Sequence, residues 1–148
     1  MSQWTRNAEY TPQGRAEIHK NPEYVNTDVL HYLMNNPCGV ESVEYNDNRI
    51  ALYVAQKGRC AVTKTELSVN EIDCHHKIPR EMGGGDEYSN LIIVSDNVHI
   101  LIHSSNKRTL KKYLELVKSN SKQLTKINRL KIMAGMPQIS INGELLTV

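Results

Sequence analysis

The chain has 148 residues, a formal net charge of +2 and 39% hydrophobic residues, enough to bury the core of one ordinary domain without disulfide staples. No apolar run approaches 18 residues, and the opening MSQWTRNAEY lacks the apolar centre of a signal peptide, so the expectation is a cytoplasmic protein with no membrane partner. Cys38, Cys60 and Cys74 are an odd and sparse set, which suits reduced thiols better than a disulfide framework.

Charge is unevenly spread. Residues 1 to 103 hold 9 Lys/Arg against 14 Asp/Glu, or −5, whereas residues 104 to 134 hold nine Lys/Arg and only Glu115, or +8. A cationic helical segment beside an acidic body suits contact with a phosphate backbone, and suits a solvated helix face equally well.

In chain order, TPQGRAEIHK opens with Pro12 where a first helical turn tolerates it, and Gly14 keeps any helix there short. Asn26 is placed to cap a helix through about Asn35, with Val29, Leu30, Leu33 and Met34 on one face and Pro37 beyond its end. His31 falls on the other face, as a surface residue. Asp47 is expected to cap NRIALYVAQK, in which Ile50, Tyr53 and Val54 form the apolar stripe and Gly58 is the stop. RCAVTKTEL holds β-branched residues and a turn, and EIDCHHKIP reads as a strand ended by Pro79. REMGGGDEYSN reads as a loop, since successive glycines admit positive φ and close backbone approach. LIIVS is a short strand of buried type, after which Asp96 is expected to cap NVHILIHSS as a helix. Leu110, Tyr113, Leu114 and Val117 mark one further helix, and Leu124, Ile127, Leu130 and Ala134 another, with a break at Ser119 and Asn120 and a stop at Gly135. Asn142-Gly143 between apolar residues is a hairpin signal.

Four of the six histidines lie between Asp73 and His103. His99 and His103 are four residues apart on a predicted helix, so both imidazoles share one face and can ligate one cation. Such a pair alone is also found as two surface histidines. A third imidazole, from His75 or His76, would complete a three-histidine site and leave the fourth free as a base. The residues themselves do not say which of the two takes which role, because neighbours on a regular strand point to opposite faces.

HH, then GGxD, then NL, then HxxxH, with intervals of 14, 9 and 4 residues from His76 through Asn90 and His99 to His103, resembles the HNH endonuclease motif. The resemblance implies an α+β fold built on a ββα-metal (His-Me) finger. The helices predicted on either side of it, together with the Asn142-Gly143 hairpin, complete the expected architecture. The resemblance makes His75, His99 and His103 metal ligands and His76 the general base, with Asn90 bracing the loop between the strands. Over residues 10 to 139 the pieces YTPQGR, SVEYNDNRIALYVAQKGRCAVT, CHHKIPREMGGGDEYSNLIIV, VHILIH and LTKINRLKIMAG are similar to the C-terminal DNA-binding and endonuclease region of group II intron-encoded proteins, without their reverse transcriptase part. That likeness implies nicking of DNA, with intron RNA or a reverse transcriptase as further partners. On this basis residues 1–45 read as a helical extension, 46–105 as the HNH core, 106–135 as a basic helical arm that contacts DNA, and 136–148 as a tail with the hairpin.

Many HNH proteins add a knuckle of two CxxC pairs. Here Cys60 fills one of its positions while Thr63, Ser95 and Val98 fill the others, so no four-cysteine zinc is expected. Cys74 reads as a small apolar residue rather than a ligand. One divalent cation is expected: the resemblance favours Mg²⁺, whereas three imidazoles intrinsically suit Mn²⁺, Zn²⁺ or Ni²⁺ better. Lys77 and Arg80 flank the site and Arg59 precedes it, any of which could hold a phosphate, and Lys107, Arg108, Lys111 and Lys112 follow it as candidates for the DNA backbone. The expected function is a metal-dependent DNA endonuclease; the alternatives are a non-catalytic nucleic-acid-binding module holding a structural metal, or a fragment that acts only with a group II intron reverse transcriptase.

Overall fold

The computed structural model describes residues 25–146; the short helix expected in TPQGRAEIHK lies outside them. Helix α1, Thr27–Asn35, starts where the sequence predicts, because the Asn26 side chain accepts the N–H groups of Asp28 at 2.9 Å and Val29 at 3.1 Å. Such a cap satisfies donors that no helical carbonyl reaches. Its Leu30 and Leu33 are almost fully buried.

Helix α2, Val43–Ala55, corrects the second expectation. Its cap is Ser42, whose Oγ accepts the Tyr45 N–H at 2.9 Å, so Asp47 lies inside the helix rather than at its start. Ser42 is as good a capping residue as Asp47, and starting there brings the buried Tyr45 onto the packed face. The helix ends as Lys57 and Gly58 take left-handed φ values of 56° and 69°.

The two strands fall at the predicted positions. β1, Ile72–His76, and β2, Leu91–Ser95, pair antiparallel in a register from Ile72↔Ser95 to His76↔Leu91. Helix α2 covers the side bearing Cys74 and His76, while helix α3, Asp96–His103, covers the side bearing His75. The outer edge of β2 is closed by a side chain: the Gln56 amide donates to the Ile93 carbonyl at 2.9 Å and accepts the Ile93 N–H at 3.0 Å. The Ala61 N–H donates to the same Ile93 carbonyl at 3.0 Å.

The cap of α3 is Ser95, whose Oγ accepts the Val98 N–H at 3.2 Å, not the expected Asp96. Asp96 is the first helical residue instead, where its carboxylate meets the positive end of the helix. Helices α4, Lys107–Val117, and α5, Ser121–Met133, follow. α5 opens with a reciprocal capping box: Asn120 accepts the Gln123 N–H at 2.8 Å, and the Gln123 side chain accepts the Asn120 N–H at 3.0 Å. Leu110 of α4 and Ile127 of α5 are fully buried. The expected C-terminal hairpin is a turn at Gly143, φ 81°, closed by a single bridge between Ile139 and Leu145.

Among the described residues the architecture is thus α+β, five α-helices around one small antiparallel sheet. Its core includes Leu30, Tyr53, Cys60, Ile93, Leu101 and Ile102. No helix among the described residues is long and apolar enough to cross a membrane.

Candidate metal centre

Strand β1 and helix α3 bring three of the predicted ligands together. His75, His99 and His103 each offer a ligand atom within 4.8 Å of the others. The rings form a triangle with centroids 5.1 Å apart for His75 and His99, 5.0 Å for His75 and His103, and 4.6 Å for His99 and His103. His103 Nε2 and His75 Nδ1 approach to 3.3 Å. Two ring nitrogens on one tetrahedral cation at about 2.1 Å would stand about 3.4 Å apart.

The chemistry of the donor set fits a cation. His75 is buried; the nitrogen it turns toward His103 is Nδ1, whereas its Nε2 has no hydrogen-bond partner. Burial first, and then the charges of His99, His103 and His76, push the His75 pKa down to about 3. Burial also lowers those of His99 and His103. All three rings are therefore neutral at pH 7, with lone pairs available to a metal. Beside them Asp73 Oδ2 lies 3.7 Å from His99 Nδ1, beyond hydrogen-bond distance.

His76 faces the other way. Its Nε2 is 2.8 Å from Asp86 Oδ1, and its ring lies nearly parallel to that of Tyr45, centroids 5.5 Å apart. Tyr45 is itself anchored by a 3.0 Å hydrogen bond from its hydroxyl to the Cys74 carbonyl. Asp86 also accepts from Ser42 Oγ at 2.6 Å and Arg80 Nη2 at 3.1 Å. These donors, His76 foremost, hold its carboxyl down to about 2. With Asp86 accepting from Nε2–H, the lone pair of His76 is on Nδ1.

Asn90 is buried, and its amide ties the loop together. Its Nδ2 donates to the carbonyls of Ile78 at 3.0 Å and Gly85 at 2.9 Å, while its Oδ1 accepts the Ile78 N–H at 2.9 Å. Gly84 makes this closure possible: a Cβ there would lie 1.7 Å from the Ile78 carbonyl oxygen. Only glycine allows backbone to approach so closely.

The predicted phosphate contacts divide. Arg80 is engaged by Glu41 and Asp86, so its guanidinium serves the His76 side of the site. Lys107, Arg108 and Lys111 border an open hollow on α4, Lys107 at 3.7 Å from Glu144, and Lys112 sits 5.5 Å above the Tyr113 ring. Cys74 is outside the histidine cluster, and burial pushes its thiol up to about 12.

Asp86, Ser42 and Tyr45 were not among the expected site residues. The Asp of GGGD was a usable signal for the first; nothing local marks a serine and a tyrosine some thirty to forty residues upstream as neighbours of His76. Compared with models of protein families, with curated proteins and with solved structures, the chain matches none.

Proposed function

We propose that the protein is a metal-dependent DNA endonuclease of HNH type, in which β1, β2 and α3 act as a ββα-metal finger. The observation that supports this best is the pair of neighbours ending β1: His75 joins a histidine triangle that can hold a cation, and His76 belongs to a separate carboxylate-anchored arrangement. A divalent cation held by His75, His99 and His103 would polarise a phosphoryl oxygen and offset charge on the leaving oxygen. His76 takes a proton from the attacking water at Nδ1, because Asp86 occupies Nε2. Asp86 fixes the tautomer and steadies the imidazolium that results. Tyr45 blocks rotation of the ring, and Asn90 with Gly84 keeps the Asp86 loop in place. His75 and His76 project to opposite sides, so the phosphodiester lies across the end of β1. Mn²⁺, Zn²⁺ and Ni²⁺ suit three imidazoles better than Mg²⁺ does, whereas the resemblance to the HNH family favours Mg²⁺. One cut per finger makes the product a nick.

The test is a supercoiled plasmid incubated with the protein and each metal in turn, with and without EDTA. Nicked circles that require a metal and disappear in EDTA are the expected result. Plasmid that is bound but never cut would favour a nucleic-acid-binding module whose histidines hold a structural metal.

A further inference from the structure

The acidic body of the protein contains a cationic cavity of whose residues only Arg59 and Lys77 are among the expected phosphate contacts. Between residues 25 and 103 there are six Lys/Arg. Arg49 donates to the carbonyls of Leu33 and Asn36, and Arg80 pairs with Glu41 and Asp86. The other four, Lys57, Arg59, Lys64 and Lys77, all line one cavity of about 520 Å³, where Lys126 of α5 joins them. Among the described residues no carboxylate lines it. A region carrying excess negative charge has gathered these cations at one place.

Several features show that the concentration of charge is built in. Lys57 and Lys64 have left-handed φ values of 56° and 63°, a backbone state in which glycine or asparagine is easier than lysine. Arg59 Nη1 donates to the Lys64 carbonyl at 3.1 Å, and Lys126 Nζ to the Ala61 carbonyl at 2.8 Å, so both cations are held on the 59–64 loop. Burial first, with Lys64 and Lys77 adding to it, lowers the Lys126 pKa. Tyr88, 48% exposed, presents its ring at the rim.

The cavity adjoins the histidine site. Ile92, in its lining, is the cross-strand partner of His75, and Lys77 follows His76 directly. Neighbouring strands are about 4.8 Å apart, so an extended polyanion can reach from one to the other. We propose that this cavity is a phosphodiester-backbone subsite, in which Lys57, Arg59, Lys64, Lys77 and Lys126 hold phosphates flanking the one at the histidine triangle. The assignment rests on the nuclease reading for that register. It moves the main backbone track from α4 to the face beside β2.

The test measures binding apart from cleavage. A fluorescein-labelled 20-base-pair DNA duplex is titrated in EDTA, across several salt concentrations, with the wild type, with Lys57→Asn/Lys64→Asn and with Lys111→Gln/Lys112→Gln. Asparagine removes charge while tolerating positive φ. The Asn pair is expected to weaken binding at least about tenfold and to reduce the slope of log K against log salt by about 2, since each phosphate contact contributes about 0.9. The Gln pair should change both less. If the Asn pair binds and responds to salt like the wild type, or if the wild type ignores the duplex, the subsite is overturned. A Lys64-dependent rise in melting temperature with pyrophosphate, in protein that ignores the duplex, overturns it in favour of a small phosphate ligand. Should the double variant melt early by circular dichroism, Lys64→Asn alone is expected to lower the slope by about 1. Binding that depends on these lysines, in a protein that never nicks a plasmid, would sink the nuclease reading and leave the binding surface standing.

Discussion

The two sides of β1 solve opposite problems with the same residue type. On the α3 side His75 is packed against two more imidazoles and turns Nδ1 toward His103. On the α2 side His76 has a carboxylate at 2.8 Å, and that carboxylate is tied to a serine and an arginine. The first arrangement keeps rings neutral, which is what a cation requires of its ligands. The second fixes one nitrogen and leaves the other to accept, which is what a base requires. Sequence adjacency therefore says little about chemical role, because the strand pleat sends neighbours into different surroundings.

The largest effect should come from breaking the α2 side at its centre. His76→Ala is expected to slow plasmid nicking by roughly 10²- to 10⁴-fold, the usual worth of a general base, while cation binding measured by calorimetry stays near wild type. The complementary change, His103→Ala, removes an exposed member of the histidine triangle and should weaken cation binding by more than about 100-fold, beyond what losing an outer-shell partner costs. Its unfolding midpoint without metal should barely move. If both variants impaired cation binding equally, the division between the two sides would fail.

A third change tests what holds the ligand helix in place. Lys131 is fully buried, and its Nζ donates to the carbonyls of Leu101 at 2.9 Å, Ile102 at 3.3 Å and Ser104 at 2.8 Å. It caps the end of α3 that carries His103, and its desolvation pulls its pKa down to about 8. Lys131→Met should cost about 1–3 kcal/mol in urea unfolding, the range for leaving buried acceptors unpaired.

Acid should separate the two sides. The pKa of His75 falls from 6.5 to about 3 on folding, so below pH 6.5 the unfolded chain takes up a proton that the folded chain refuses. Stability without metal is full above that pH and is lost toward pH 3, by about 1.4 kcal/mol per unit for this group. A bound cation should shift the loss to lower pH. Asp86, with its pKa depressed to about 2, contributes stability that is lost only as pH falls from the ordinary carboxylate range toward 2. Urea titrations with EDTA and with Mn²⁺ would resolve the windows; a metal-free protein equally stable at pH 7 and pH 5 would contradict the histidine assignment. The smallest change is Asp86→Asn, expected to slow nicking about tenfold, or roughly 1.4 kcal/mol of barrier, without altering cation affinity.

Much of the scaffold was legible from local chemistry. Asn26, the LIIVS run, the glycine triplet and the Asn120 break each act through their immediate neighbours, and each is where the sequence places it. The caps of α2 and α3 were misread because two eligible residues lay close together, and packing of Tyr45 and of the β2–α3 junction decided between them. Two corners of the histidine triangle were readable from spacing, since i, i+4 places His99 and His103 on one face; the choice of His75 over His76 came only from the resemblance to the HNH motif. The triangle's hydrogen-bonded counterpart was not readable, because Ser42, Tyr45 and Asp86 meet His76 only through tertiary packing. Lys131 was hidden differently: counted among the cations of a DNA-contacting arm, it is an internal clasp. Where a knuckle would use cysteine pairs, the Cys60 sulfur instead accepts the Ser95 N–H at 3.4 Å.

The Gln56 side chain has a bearing on how the protein behaves in a crowded solution. A two-stranded sheet has two open edges, and LIIVS is the sort of apolar, uncharged run that recruits strands from other molecules. By occupying both the N–H and the C=O of Ile93, a single amide stands in for a third strand. It does so without supplying a further edge on which another chain could continue the sheet. The residue thereby guards the edge of β2 against self-association, and its loss would first be felt as aggregation rather than as a change in chemistry.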